Sequence, residues 1–195
     1  MRIIGGTAGG LIIKAPKGFE VRPTPDLVRQ ALFNSLGARV LETRVLELFG
    51  GTGALSLECL SRGASQALCV ELSPKHARYI EANYAATRLP PNRLQVRIQD
   101  VFTALPQLAA AGEQFDLILA DPPYGEKNVG RRSTSFAQRL LDDPTLPRLL
   151  NADGMFILGH TRRDTLDCPG IWEERKAMRH GDSMMRFFVH AKLTL

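Results

Sequence analysis

The chain has 195 residues, 44% of them hydrophobic, and a mean hydropathy of −0.10, which suits one globular domain with a single substantial core. No apolar run approaches the roughly 18 residues of a membrane span, and MRIIGG is not a leader-type apolar segment, so a cytoplasmic protein is expected. The net charge of +5 lies mostly in residues 1–44, where seven Lys/Arg oppose Glu20, Asp26 and Glu42; such a basic end suits an anionic partner, nucleic acid first.

Residues 1–20 read as a Gly-punctuated hairpin, with RIIGG and LIIKAP as short β-branched runs around TAGG. Its glycines at 5, 6, 9 and 10 leave little side chain, so the backbone is free to approach a ligand. RPTPDLVRQALFNSL then predicts an amphipathic helix. Thr24 is its expected N-cap, Pro25 its first residue and Asp26 a first-turn acid. Leu27, Val28, Ala31, Leu32 and Leu36 form the apolar face, leaving Arg22, Arg29, Gln30 and Asn34 open to solvent or ligand. Residues 1–43 are thus a basic extension, and 44–195 the main domain.

From residue 44 strands and helices alternate. RVLEL, QALCVE, LQVRI, FDLILA and GMFILGH read as strands, with helices in GALSLECLSR, PKHARYIEANYAATR, VFTALPQLAAA and TSFAQRLLDD. Ser73 should cap the second of these helices, and Pro106 should break or kink the third. WEERKAM and MMRFFVHAKL look like a closing antiparallel pair. Near-continuous apolar strands between helices imply an α/β fold with a mostly parallel sheet covered on both faces. Cys59, Cys69 and Cys168 form no C-x-x-C pair, and His76, His160, His180 and His190 are scattered, so no metal site is expected.

In such sheets ligands bind beyond the carboxyl ends of the strands. After the first strand comes ELFGGTGALS, with Glu47, Gly50, Gly51 and Gly53 leading into a helix. It lacks the last glycine of G-x-G-x-x-G, where Ser56 stands, and no G-K-[ST] follows. After the second strand Glu71 is placed to accept from both hydroxyls of a ribose, and after the third Asp100 is placed to accept from an adenine amine. Each is equally readable as a helix-entry acid. After the fourth comes DPPYG. Pro122 and Pro123 have no amide donors, so the Pro122 carbonyl and the Asp121 carboxylate form an acceptor pair beside the Tyr124 ring. That arrangement suits a planar group carrying an NH2.

This order of strand ends resembles class I S-adenosylmethionine-dependent methyltransferases, whose fold is Rossmann-like with a seven-stranded sheet. D-P-P-Y resembles the subset acting on exocyclic amines of bases. RIIGG, RPTPDLVRQALFNSL, ELFGGTGALSLECLSRGA, VELSPKHARYIEAN, DPPYG and HGDSMMRFF resemble, in order, the RsmD family. The resemblance implies methylation of the N2 amine of one guanine in bacterial 16S ribosomal RNA, within a small subunit or an assembly intermediate, by a monomer. S-adenosylmethionine would be held at its methionine end by Glu47, Phe49, Gly50, Gly51 and Gly53. Glu71 would take the ribose and Asp100 with Val101 the adenine, with Leu72 a further cofactor contact. Asp121, Pro122 and Tyr124 would serve the target base. Arg2, Lys14, Arg22, Thr24 and Arg29, with Lys127, Arg131 and Arg132, are the candidate RNA contacts. Gly9, Gln30 and Gly159 depart from the family pattern, none at a presumed cofactor or amine position. Two other readings stay open: adenine N6 methylation of DNA or RNA, and a non-catalytic RNA-binding assembly factor. With the core beginning near Arg44, deletion of residues 1–20 is expected to leave a folded, cofactor-binding protein.

Overall fold

Apolar runs without side-chain caps favour lateral pairing, and they build most of a seven-stranded sheet whose edge strand is largely charged. A computed structural model describes residues 1–15, 25–123 and 131–192. β1 (Arg44–Leu48), β2 (Gln66–Glu71), β3 (Leu94–Ile98), β4 (Phe115–Ala120) and β5 (Leu150–Thr161) pair in parallel. β6 (Trp172–His180) and β7 (Ser183–His190) are antiparallel, and the order is β3-β2-β1-β4-β5-β7-β6. Strand order reverses between β1 and β4, where sheets of this kind open a crevice. Register aligns the exits: Leu48 lies opposite both Val70 and Ala120, so Phe49, Glu71 and Asp121 leave the sheet at one level.

Alternate strand residues feed two cores. Leu46, Leu48, Leu68 and Val70 pack with α4 (Val101–Ala110) and α5 (Phe136–Asp142). Val45, Ala67, Leu117 and Leu119 pack with α1 (Asp26–Leu36) and α2 (Ala54–Ser61). α3 (Pro74–Ala86) begins at Ser73, whose hydroxyl accepts from the His76 amide as expected. Every residue of α2 is buried, polar ones included. A helix buried all round needs cover on its outer side, and the N-terminal segment supplies it.

That segment differs from the sequence expectation in several ways. Its hairpin is present but short, an antiparallel bridge from Arg2 to Ile12 flanked by amide bonds from Ile3 to the Leu11 carbonyl (2.9 Å) and from Ile13 to that of Met1 (3.0 Å). Ile3, Ala8 and Ile13 are buried against Ala54 and Leu57. The Glu58 carboxylate accepts from the amides of Ile4 (2.7 Å) and Gly5 (2.9 Å), and Ser61 Oγ accepts from that of Ala8 (2.9 Å). Gly5 and Gly6 serve this contact. Gly6 has φ +75°, and a Cβ there would overlap the Ser61 carbonyl. α1 starts one residue later than expected, with Pro25 as N-cap; Thr24 lies outside the described residues. Its buried face carries Val28, Arg29, Leu32, Phe33 and Leu36, while Leu27 is exposed.

Arg29 is therefore not open to RNA. Its Nη2 donates to the Arg2 carbonyl (2.6 Å) and to Asp26 Oδ1 (2.7 Å), and Nη1 lies 3.7 Å from Glu58 Oε2. Arg29 and Glu58 are both fully buried and tie α1, α2 and the N-terminal strand together. Breaking such a pair by removing one partner costs about 3–5 kcal/mol. α4 also departs from expectation, running unbroken through Pro106. Asp100 caps its start, and Val101, Ala104, Leu105 and Leu108 bury its inner face.

Candidate active site

The turn after β1 is tight because its surroundings are full. A Cβ at Gly50 would overlap Cys69 Sγ, and one at Gly53 would come within 2.7 Å of Ile80 Cγ2. Gly51 and Gly53 have φ of +56° and +73°, and Phe49, which is not glycine, has φ +61°. A bulky residue held in the left-handed region stores strain of about 1–3 kcal/mol. Glu47 holds the turn from beneath. Its carboxylate accepts from the Ser56 amide at 2.9 Å and the Leu55 amide at 3.3 Å. Burial pushes the Glu47 carboxyl up to about 7, against the lowering effect of bonds from Ser56. It anchors the start of α2, where the helix dipole favours an acid.

Glu71 braces the turn from the side. Oε2 accepts from the Gly51 amide (2.7 Å) and Oε1 from the Ser73 amide (2.8 Å), with His76 Nδ1 3.4 Å away. A carboxylate has about four lone-pair directions, so these bonds leave capacity for two hydroxyls. Asp100 accepts from the Thr103 amide at 3.0 Å, so it is a helix cap as well as a strand-end acid. Leu72, between these acids in the strand-end row, is 66% exposed. Together they offer a side-chain-free turn, an open apolar patch and two carboxylates, which fits an adenosine carrying a short polar tail.

The turn has a third support that the sequence did not reveal. Asn83 of α3 donates to the Thr52 carbonyl (3.1 Å) and the Lys14 carbonyl (2.9 Å), and accepts from the Lys14 amide (2.8 Å). The N-terminal segment is thereby one side chain away from the turn. An Asn inside a helix, three residues beyond buried Ile80, was the available signal.

Asp121 and the buried Pro122 stand at the end of β4. Ala120 pairs with Leu158 on β5, which sets Asp121 beside Gly159, and a Cβ at Gly159 would overlap Asp121 Oδ1. Gly159 thus adjoins the carboxylate expected to take the amine, contrary to the expectation that its departure touches no such position. Tyr124 and Lys127, like Arg22 and Thr24, lie outside the described residues. Phe49, Phe102 and Phe136 gather next to the site, a cluster that sequence spacing did not bring together.

Of the remaining candidate RNA contacts, Arg2, Lys14 and Arg131 are exposed. Arg132 is exposed but held by Asp142 (2.7 Å) and Asp167 (3.2 Å), which raise its pKa, the hydrogen bond it donates to Asp142 most. Among the described residues no group of His, Cys, Asp and Glu could hold a metal ion, and no helix is long and apolar enough to cross a membrane.

The family described as conserved hypothetical protein 95 matches residues 1–189. A Bacillus subtilis protein named "Putative rRNA methyltransferase YlbH" is 33% identical over 162 residues, 83% of each chain. The Escherichia coli protein named ribosomal RNA small subunit methyltransferase D is 33% identical over 124 residues, 64% of this chain and 60% of that protein. The solved structure of a hypothetical protein from Thermus thermophilus superposes with a TM-score of 0.78 at 29% identity, covering 98% of this chain and 99% of that one.

Proposed function

Because the chain belongs to the conserved hypothetical protein 95 family, the RsmD family, we propose that it methylates the exocyclic N2 amine of one guanine in 16S ribosomal RNA, in the cytoplasm. The coarser statement, a methyltransferase acting on ribosomal RNA, follows the names of its relatives. The observation that carries the reading is the row of strand exits. The glycine turn, Glu71, Asp100 and the Asp121–Pro122 acceptors stand side by side at one end of the sheet.

When bound, S-adenosylmethionine supplies an electrophilic methyl group on a sulfonium. Glu71 accepts from the ribose hydroxyls, Asp100 and the Val101 amide receive the adenine edge, and the turn over Phe49–Gly53 takes the methionine end. Asp121 and the Pro122 carbonyl accept the two N–H bonds of the target amine. That draws the nitrogen towards a pyramidal shape and turns its lone pair out of the ring. Asp121 also stabilises the positive charge that develops on nitrogen. In-line positioning does most of the remaining work. No covalent intermediate is required, and Cys59 and Cys69 are buried with thiol pKa values pushed up by burial, so neither is a nucleophile.

Arg2, Lys14 and Arg131 are the exposed cations offered to phosphates, with Arg22, Lys127 and Tyr124 as further contacts. The test is labelled methyl transfer to ribosomal RNA, bare and in small subunits, from cells lacking this protein, followed by nucleoside mass spectrometry. N2-methylguanine is expected. N6-methyladenine would move the chain to the other amine, and cofactor binding without any transfer would make it an assembly factor.

A further inference from the structure

Two rings of the cluster beside the acceptors, Phe102 and Phe136, have no role in the chemistry above. Phe49 leaves β1 directly after Leu48, the partner of Ala120, and so stands level with Asp121. Its ring meets Phe136 of α5 at 5.5 Å and Phe102 of α4 at 6.2 Å, and Phe102 stacks on Phe136 at 6.0 Å with 27° between planes. Arg139, three residues along α5, lays its guanidinium 3.7 Å from the Phe102 centroid and 5.4 Å from that of Phe136. A group serving only the core would be covered. Here Phe136 is 36% exposed, Arg139 is exposed, and among the described residues Arg139 has no carboxylate partner.

We infer that Phe136 and Arg139 form a second nucleotide seat, which takes the base next to the methylated one and sets its phosphate against the guanidinium. The inference rests on the methyltransferase reading above. Drawing a base out of its stack exposes the face of its neighbour, and proteins cover such faces with aromatic rings or guanidinium planes. The seat belongs to RNA rather than to the cofactor for two reasons. Phe136 and Arg139 lie on α5, which follows β4, whereas Glu71 and Leu72 stand at the β2 exit and only Phe102 comes from the helix that Asp100 caps. A fixed cation also opposes a sulfonium and attracts a phosphate.

The experiment uses the full chain. It compares binding of a fluorescent, guanine-containing single-stranded RNA, S-adenosylmethionine binding by calorimetry, and methyl transfer to ribosomal RNA. Phe136→Ala is expected to weaken RNA binding, and to raise KM for RNA, about tenfold, with cofactor affinity and kcat nearly unchanged. Phe136→Trp should restore binding, and Phe136→Leu, which keeps the apolar bulk, should not. Arg139→Ala should lower the logarithmic salt slope by about 0.7. The inference is overturned if Leu serves as well as Phe, if Phe136→Ala weakens the cofactor instead, or if both alanine variants bind RNA like the wild type. Failure of the wild-type chain to transfer methyl would sink the proposed function, and the RNA-binding comparison would still decide the seat.

Discussion

Single atoms decide much at Asp121. Gly159 has no side chain where a Cβ would meet the Asp121 carboxylate, so Gly159→Ala must push that carboxylate out of place. The substitution is expected to mimic Asp121→Ala. Turnover should fall at least tenfold while the dissociation constant for S-adenosylmethionine stays within about twofold, since a misplacement near 1 Å can cost a hundredfold. Calorimetry beside single-turnover rates checks the split, and equal loss of both would show that the damage reaches the glycine turn. Glu47 carries a second prediction, in pH. Its carboxyl titrates near 7 when folded and near 4.5 when free, so the native chain keeps a proton that the unfolded chain releases. The resulting stabilisation is complete below about pH 4.5 and is lost as pH rises through 7. Glu47→Gln, which cannot lose that proton, should therefore gain on the wild type between pH 5 and pH 8, by up to roughly 3 kcal/mol. Urea midpoints at the two pH values measure it. A swing in the other direction would mean that the Leu55 and Ser56 amides hold Glu47 as the anion.

Among elements, the strands and their exits were legible because each is a short apolar run closed by glycine, proline or an acid. The sheet's register then brought Glu71, Asp100 and Asp121 to one edge without further information. What stayed hidden were contacts between residues far apart in the chain. Arg29 reads as an outward-facing helix cation until Glu58 is seen to meet it, and its burial has no local signature. Pro106 reads as a break, yet the cap at Asp100 and four buried side chains hold α4 across it. Asn83 is the element-level link with a functional consequence, since it joins α3 to Thr52 in the turn and to Lys14 in the N-terminal segment. Asn83→Leu leaves the buried Thr52 carbonyl short of a partner, at about 1–3 kcal/mol, and frees the part-buried Lys14 amide and carbonyl. It is expected to weaken cofactor binding about tenfold, with RNA binding less affected. Unchanged cofactor affinity in a folded Asn83→Leu protein would mean that the turn needs no support from α3.

For the whole molecule, the described parts of the basic extension pack against α2 and the sheet, so it is expected to behave as part of the core rather than as a detachable arm. Deleting residues 1–13 uncovers α2, removes buried Ile3, Ala8 and Ile13, and strips two amides from Glu58. Each buried isoleucine contributes about 1.5–3 kcal/mol, and an unsatisfied Glu58–Arg29 pair costs more. The sum approaches the entire stability of an ordinary domain, about 5–15 kcal/mol. The truncated chain should lose its cooperative thermal transition, followed through Trp172 fluorescence, together with both cofactor and RNA binding. A sharp transition with intact cofactor binding would restore the picture of an independent arm. The same clasp also imposes a timetable on synthesis. Ile4 waits 54 residues for Glu58, and Lys14 waits 69 for Asn83. At bacterial elongation rates of roughly 5–20 residues per second, the second delay lasts about 3–14 s. Until α2 has been made, Ile3 and Ile13 have no surface to cover them. The stretch of this chain made early is thus among the last to fold, and it stays open to chaperones and proteases until α3 has left the ribosome.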